Sequence, residues 1–178
     1  MLSKKREAEY RNLIEAAKAA SQLAYRPYSQ YNVGAAILTF DGQIYTGCNI
    51  ENCGYTQTIH AEQTALAKAI SEGALRRALE QGLTQFDFVR AIAVFAPEGS
   101  DPWPCCNCRQ TLNEFGLKMD VIGYAGTDES RVLVKKLGAL IPHAFPMEEV
   151  LASVYGGKKR LKLELLGMPP AAPRRRSR

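Results

Sequence analysis

Histidine is nearly missing from this chain of 178 residues: there are two, His60 and His143, and a single tryptophan, Trp103. So little imidazole excludes a histidine-rich metal centre and leaves each histidine to be explained individually. Long apolar runs are missing as well. None approaches the roughly 18 residues of a membrane-spanning helix, so a soluble chain with no membrane partner is expected. The first residues, "MLSKKREAEYRNLIEAAKAA", are charged and helix-periodic and lack the apolar centre and small-residue cleavage site of a secretory signal, so the expected compartment is the reducing cytoplasm. No internal repeat is present, which excludes a solenoid. An even set of dispersed cysteines is absent too: there are five, and Cys105, Cys106 and Cys108 crowd into four positions of "PWPCCNCRQ". That density suits metal or redox chemistry better than a disulfide framework.

Charge is present but unevenly spread. From Lys158 onward there are eight Lys/Arg and one acid, about +7, which leaves residues 1–157 at about −2 of the total of +5. The expected organisation is one folded, slightly acidic domain over 1–157 and a basic tail over 158–178, largely disordered from about 167, where Pro, Ala and Arg dominate. Such a tail is capable of weak contact with nucleic acid, which the folded body does not require.

Periodicity supplies the coarse elements. Leu13, Ala16, Ala17, Ala20 and Leu23 mark a helix over residues 5–24. Two β-rich runs flank Asp41-Gly42, predicting strands near 33–40 and 43–50 joined as a hairpin. A helix is predicted over 60–72, a helix or loop over 74–83, a buried strand in "FVRAIAVFA", a short helix in "CRQTLNEFG" and a strand in "MDVIGYAG". "SRVLVKKL" reads as strand or short helix, and "PMEEVLASVY" as a helix opened by its proline. Strands alternating with helices after an initial hairpin predict a three-layer α/β/α sandwich around a mixed sheet of about five strands.

Cys105 and Cys108, spaced i, i+3 at a predicted helix start, share a face, whereas Cys106 points elsewhere. By itself this pair is compatible with a structural zinc or a redox couple. Its remaining partner has to come from elsewhere in the chain, and His60 opens the earlier helix with Glu62 two residues on. His60-Ala61-Glu62 followed by Pro104-Cys105-Cys106-Asn107-Cys108 matches the H-x-E and P-C-x-x-C signature of zinc deaminases. On this reading His60, Cys105 and Cys108 bind Zn2+ and leave one tetrahedral position for water, and Glu62 is the general acid/base that moves protons during hydrolysis of an amidine.

Four segments, "YRPYSQYNVGAAILTFDGQIYTGCNIEN", "HAEQTAL", "PCCNCRQTLNEFG" and "LIPHAF", occur in the order and approximate spacing of the cytidine deaminase family, which the chain resembles from about Tyr25 to Phe145. The resemblance implies a hydrolase that converts cytidine and 2′-deoxycytidine to uridine and 2′-deoxyuridine plus ammonia in pyrimidine salvage, working as a homotetramer. It further implies that Asn49 and Glu51 bond the ribose hydroxyls, that Tyr31, where the family usually has Phe, lies beside the nucleoside, and that the backbone at Ala61 meets the pyrimidine carbonyl. Phe145 would reach the base of a neighbouring subunit.

Three features depart from that pattern. Single-domain members usually carry Cys-Ala-Glu-Arg where this chain has His60-Ala61-Glu62-Gln63. Two thiolates and a neutral imidazole cancel the charge of zinc, so no neighbouring Arg is needed and Gln63 is tolerated. Cys106 replaces a usual Gly, and Trp103 before Pro104 is unusual. Alternative readings are a deaminase of a polynucleotide or of a modified cytosine nucleoside such as blasticidin S, and a non-catalytic zinc-stabilised scaffold. The acidic body opposes the polynucleotide, and the presence of Glu62 opposes the scaffold.

Overall fold

Asp41 and Gly42 reverse the chain, and Gly42 takes the positive φ of 80° that such a turn favours. The strands on either side, β1 (Gly34–Thr39) and β2 (Ile44–Cys48), pair antiparallel with Gly34 opposite Cys48 and Leu38 opposite Ile44. The computed structural model describes residues 3–96, 103–124 and 132–167. Three more strands, β3 (Val89–Phe95), β4 (Asp120–Tyr124) and β5 (Val132–Lys136), complete a mixed sheet in the order β2-β1-β3-β4-β5. Only the β3–β4 pair is parallel. The five-stranded sheet and its layers are as expected from the sequence.

Alternation along the strands divides the core. Ala36 and Leu38 of β1, with Ala91, Ala93 and Phe95 of β3, meet α1 (Lys4–Ser21) through its Tyr10, Leu13, Ile14 and Ala17. On the opposite face Ala35, Ile37, Ile92 and Val94 share a core with α2 (Ala61–Ser71), α3 (Ala74–Glu80), α4 (Cys106–Asn113) and α5 (Leu137–Leu140). Two glycines let helices lie directly on the sheet. A Cβ at Gly34 would fall 1.9 Å from the Ala17 carbonyl oxygen, and one at Gly47 would fall 2.4 Å from the Ala65 nitrogen.

Several boundaries differ from expectation. α1 stops at Ser21 because the next residues turn to pair Tyr25 with Ile50. The ambiguous "VLVKK" is an edge strand, and Pro146 caps α6 (Met147–Val154) from outside its first turn. The chain beyond Gly157 still packs on the body. The Leu161 N–H donates to the fully buried Gln85 Oε1 at 2.8 Å, and a 3-10 turn at Leu163–Leu166 lies against α3. The disorder expected from about 167 concerns mainly residues 168–178, which lie outside the described residues.

A buried carboxylate ties α1 to the far side of the sheet. Asp120 accepts from the Tyr10 hydroxyl and from Arg6, and Lys136 Nζ lies 2.7 Å from its other oxygen. Burial alone would raise the Asp120 carboxyl, but hydrogen bonds from Lys136 and Tyr10 and the charges of Lys136 and Arg6 outweigh it and hold the carboxyl below its ordinary value. Burial, with the bond to Asp120, pushes the Tyr10 hydroxyl up to about 12.

The signs follow. A lowered carboxyl adds stability above its unfolded value of about 4 that is lost as pH falls through the folded value. A raised phenol adds stability below its unfolded value of about 10 that is lost as pH climbs toward its folded value. Asp120→Asn should therefore cost about 2 kcal/mol in urea unfolding at neutral pH, with the difference from the unsubstituted chain shrinking below about pH 4. A difference that stays constant down to pH 2 would show that the charge is not what Asp120 contributes.

Candidate active site

Past β2 the chain continues as a ragged ladder. The Tyr25 N–H donates to Asn49 O at 3.1 Å, the Glu51 N–H donates to Tyr25 O at 2.8 Å, and Ile50 and Ile59 exchange two bonds of 2.9 Å each. This returns the chain to His60, the N-cap of α2, whose backbone is extended at φ −77° and ψ 154°. The Gln63 side chain reaches back, and its Oε1 accepts from the His60 N–H at 3.1 Å. Because α2 rests on Gly47 with nothing between, the helix start is fixed against the end of the sheet.

The second half of the site is built the same way. Cys105 is the N-cap of α4, at φ −65° and ψ 168°. Arg109, one turn on, braces the approach: its Nε donates to Pro104 O and its Nη1 to Leu140 O, each at 2.7 Å. Two helix N-termini thus face one another, each presenting N–H groups that favour anionic donors nearby.

Between them His60 Nδ1 lies 3.4 Å from Cys105 Sγ and 3.4 Å from Cys108 Sγ. A zinc ion at about 2.3 Å from sulfur and about 2.0–2.1 Å from nitrogen, with tetrahedral angles, needs an edge of about 3.6 Å between them. The donor set therefore fits zinc in both spacing and chemistry. Among the described residues it is the one group of three such side chains whose donor atoms all lie within 4.8 Å of one another. Cys106 is exposed and takes no part, as its place on the helix predicts. Without a cation, burial pushes the Cys108 thiol well up, and the nearby Glu62 carboxylate and Cys105 push it further. A cation removes that conflict by holding both sulfurs as thiolates.

Above these donors opens a cavity of about 290 Å³. Its lining includes His60, Ala61 and the buried Glu62 from the start of α2, together with Asn49, Tyr31 and Trp103. The Asn49 amide is held at both ends: Oδ1 accepts from the Val33 N–H at 2.9 Å, and Nδ2 donates to Tyr31 O at 3.0 Å. Two residues singled out from the sequence do not line this cavity. Glu51 accepts from the Tyr28 N–H at 2.8 Å and from the Ser29 backbone and hydroxyl, and these bonds, Ser29 first, lower its pKa. Phe145 is 63% exposed and belongs to a separate groove of about 540 Å³ beside α6.

Sequence reasoning assigned no role to Arg109 and explained Gln63 by charge alone. The capping spacing from His60 to Gln63 and an arginine directly after Cys108 were the available signals.

The comparisons agree with this geometry. Residues 7–124 match the family described as the cytidine and deoxycytidylate deaminase zinc-binding region. The cytidine deaminase of Sporosarcina psychrophila is 38% identical over 141 residues, covering 78% of this chain and 92% of that protein. The one from Halalkalibacterium halodurans is 41% identical over 138 residues, 78% of this chain and 95% of that protein. The crystal structure of cytidine deaminase from Burkholderia pseudomallei matches with a TM-score of 0.61 and 40% identity, covering 75% of this chain and 97% of that one.

Elemental analysis of the purified protein should give about one zinc per chain. Cys105→Ala and Cys108→Ala should lose it and Cys106→Ala should keep it. Loss confined to Cys106→Ala would overturn the ligand set.

Proposed function

The chain belongs to the cytidine and deoxycytidylate deaminase family, and from that premise we propose that it hydrolyses cytidine and 2′-deoxycytidine to uridine and 2′-deoxyuridine, releasing ammonia, as a step of pyrimidine salvage in the cytoplasm. The observation that carries the proposal is the buried Glu62 carboxylate set against Cys108, beside three converging metal donors at the floor of a nucleobase-sized cavity.

Zinc held by His60, Cys105 and Cys108 would lower the pKa of a bound water toward neutrality and supply the nucleophile. Glu62 accepts the first proton of the attacking water and delivers it to the ring nitrogen N3, which makes C4 electrophilic. The second proton then passes through Glu62 to the amino group, which leaves as ammonia while the C4 carbonyl forms. The burial of Glu62 keeps bulk water from competing for either proton.

Asn49, fixed by Val33 and Tyr31, retains one N–H and one lone pair for a ribose hydroxyl. Glu51, anchored on Tyr28 and Ser29, takes the other hydroxyl with its remaining lone pairs. Tyr31 packs beside the nucleoside, and the backbone at Ala61, the first residue of α2, meets the pyrimidine carbonyl. Phe145 is placed to reach outward, so the proposal includes a homotetramer in which a neighbour's Phe145 covers the base. Its 63% exposure and its distance from its own chain's cavity support that arrangement.

Ammonia release measured over cytidine, deoxycytidine and cytosine-containing oligonucleotides tests the substrate class. The two nucleosides should react and the oligonucleotides should not; a preference for strands would reverse the assignment. Glu62→Gln should keep zinc and nucleoside binding and lose at least about a hundredfold in kcat, because an amide of the same shape cannot shuttle protons. Turnover close to normal would mean that the protons travel by another route. Phe145→Ala should raise KM for cytidine with metal content unchanged; an unchanged KM would remove Phe145 from the substrate site.

A further inference from the structure

Trp103 is the chain's one tryptophan and stands two residues before the first cysteine ligand. Its indole is only partly buried, and part of it forms the cavity wall. Behind it lies the sheet. A Cβ at Gly123 of β4 would meet Cζ3, Cη2 and Cε3 of the ring at 3.3 to 3.5 Å, so the indole lies over Gly123 with about the space of one methyl group between ring and strand. Lys135 of β5 places its ammonium 5.0 Å from the ring centroid. The strand and the cation together limit how far the ring can move.

The sheet order fixes which side of the cavity this is. α2 lies over β2 and β1, whereas Trp103 is backed by β4, two strands from β1. Glu62 and Ala61 therefore face the substrate from one side and Trp103 from the other. On the deaminase reading above, Glu62 handles N3 and the amino group and the Ala61 backbone meets the carbonyl, so the O2–N3–C4 edge of the ring is turned toward α2. The remaining edge is C5–C6.

We propose that Trp103 is the specificity-determining wall against the C5–C6 edge of the cytosine ring, and that it excludes substituents larger than hydrogen at C5. The inference rests on the deaminase reading for the orientation of the base. A ring backed by β4 and held by Lys135 meets one added methyl group with overlap, and overpacking of this kind corresponds to about ten- to a hundredfold in discrimination.

The test compares kcat/KM for cytidine and 5-methylcytidine in the unsubstituted enzyme, Trp103→Phe and Trp103→Ala, with zinc content measured in each. The ratio of 5-methylcytidine to cytidine should rise about tenfold or more in Trp103→Ala and by less in Trp103→Phe. A ratio within twofold of the unsubstituted enzyme, with zinc bound, would overturn the proposal. Binding offers a readout apart from turnover, because all tryptophan emission comes from Trp103. In Glu62→Gln, cytidine should change that emission saturably, and an unchanged spectrum at saturating cytidine would overturn the wall. A saturable change combined with no ammonia release by the unsubstituted enzyme would leave Trp103 in the nucleoside pocket but remove the deaminase reading, and with it the C5–C6 orientation. Should Trp103→Ala fail to fold, Gly123→Ala fills the space behind the ring and should lower the ratio of 5-methylcytidine to cytidine further, whereas an unchanged ratio counts against the proposal.

Discussion

Two thiols, an imidazole and a carboxylate share one corner of this protein, where burial opposes the thiolate form of Cys108. Cys108 is fully buried, and its thiol is driven up first by burial and then by Glu62 and Cys105. A divalent cation resolves this, because two thiolates and a neutral imidazole cancel its charge and leave the carboxylate free for protons. Much of the local architecture serves to bring these four groups together. The donors come from two helix starts, where backbone N–H groups are already turned outward, and neither helix would point at the site without its own brace.

Those braces are steric and covalent-chain constraints as much as electrostatic ones. At Gly47 the missing side chain lets α2 touch β2, and at His60 the Gln63 amide closes the first turn by accepting the backbone N–H. At the other helix Arg109 holds two carbonyls, one just before Cys105 and one at the end of α5, so the metal loop is tied to the outer part of the fold. Farther away the Arg6, Tyr10, Asp120 and Lys136 cluster fastens α1 to β4 and β5. Trp103, proposed above as a wall of the cavity, lies over Gly123 of β4.

The parts legible in the sequence were those set by short-range rules. Two β-rich runs on either side of Asp41-Gly42 specified the hairpin, and the spacing of Cys105, Cys106 and Cys108 was enough to separate the two cysteines that converge with His60 from the one that does not, because a helix turns a residue's neighbour away from it. What stayed hidden depended on distant partners or on brevity. α5 is four residues long, too short for any period to register. β5 is half-exposed at a sheet edge, where strand and helix patterns look alike. The bond from Leu161 to the buried Gln85 joins residues 76 positions apart, so nothing local marked this point of the basic segment as touching the body. The family resemblance marks Glu51, but the anchoring of its carboxylate by the loop at Tyr28 and Ser29 is a contact no spacing reveals. Gln63 was explained by charge when its geometry is that of a cap, and both roles are compatible with one amide.

The central claim is that His60, Cys105 and Cys108, and no other cysteine, hold the metal on which Glu62 acts. X-ray absorption at the zinc edge of the purified full chain tests it most directly, because sulfur and lighter scatterers separate by distance. The account predicts two sulfur neighbours at about 2.3 Å and two nitrogen or oxygen neighbours at about 2.0–2.1 Å, one from His60 and one from solvent. Three or four sulfur neighbours would bring Cys106 or another cysteine into the shell and contradict it.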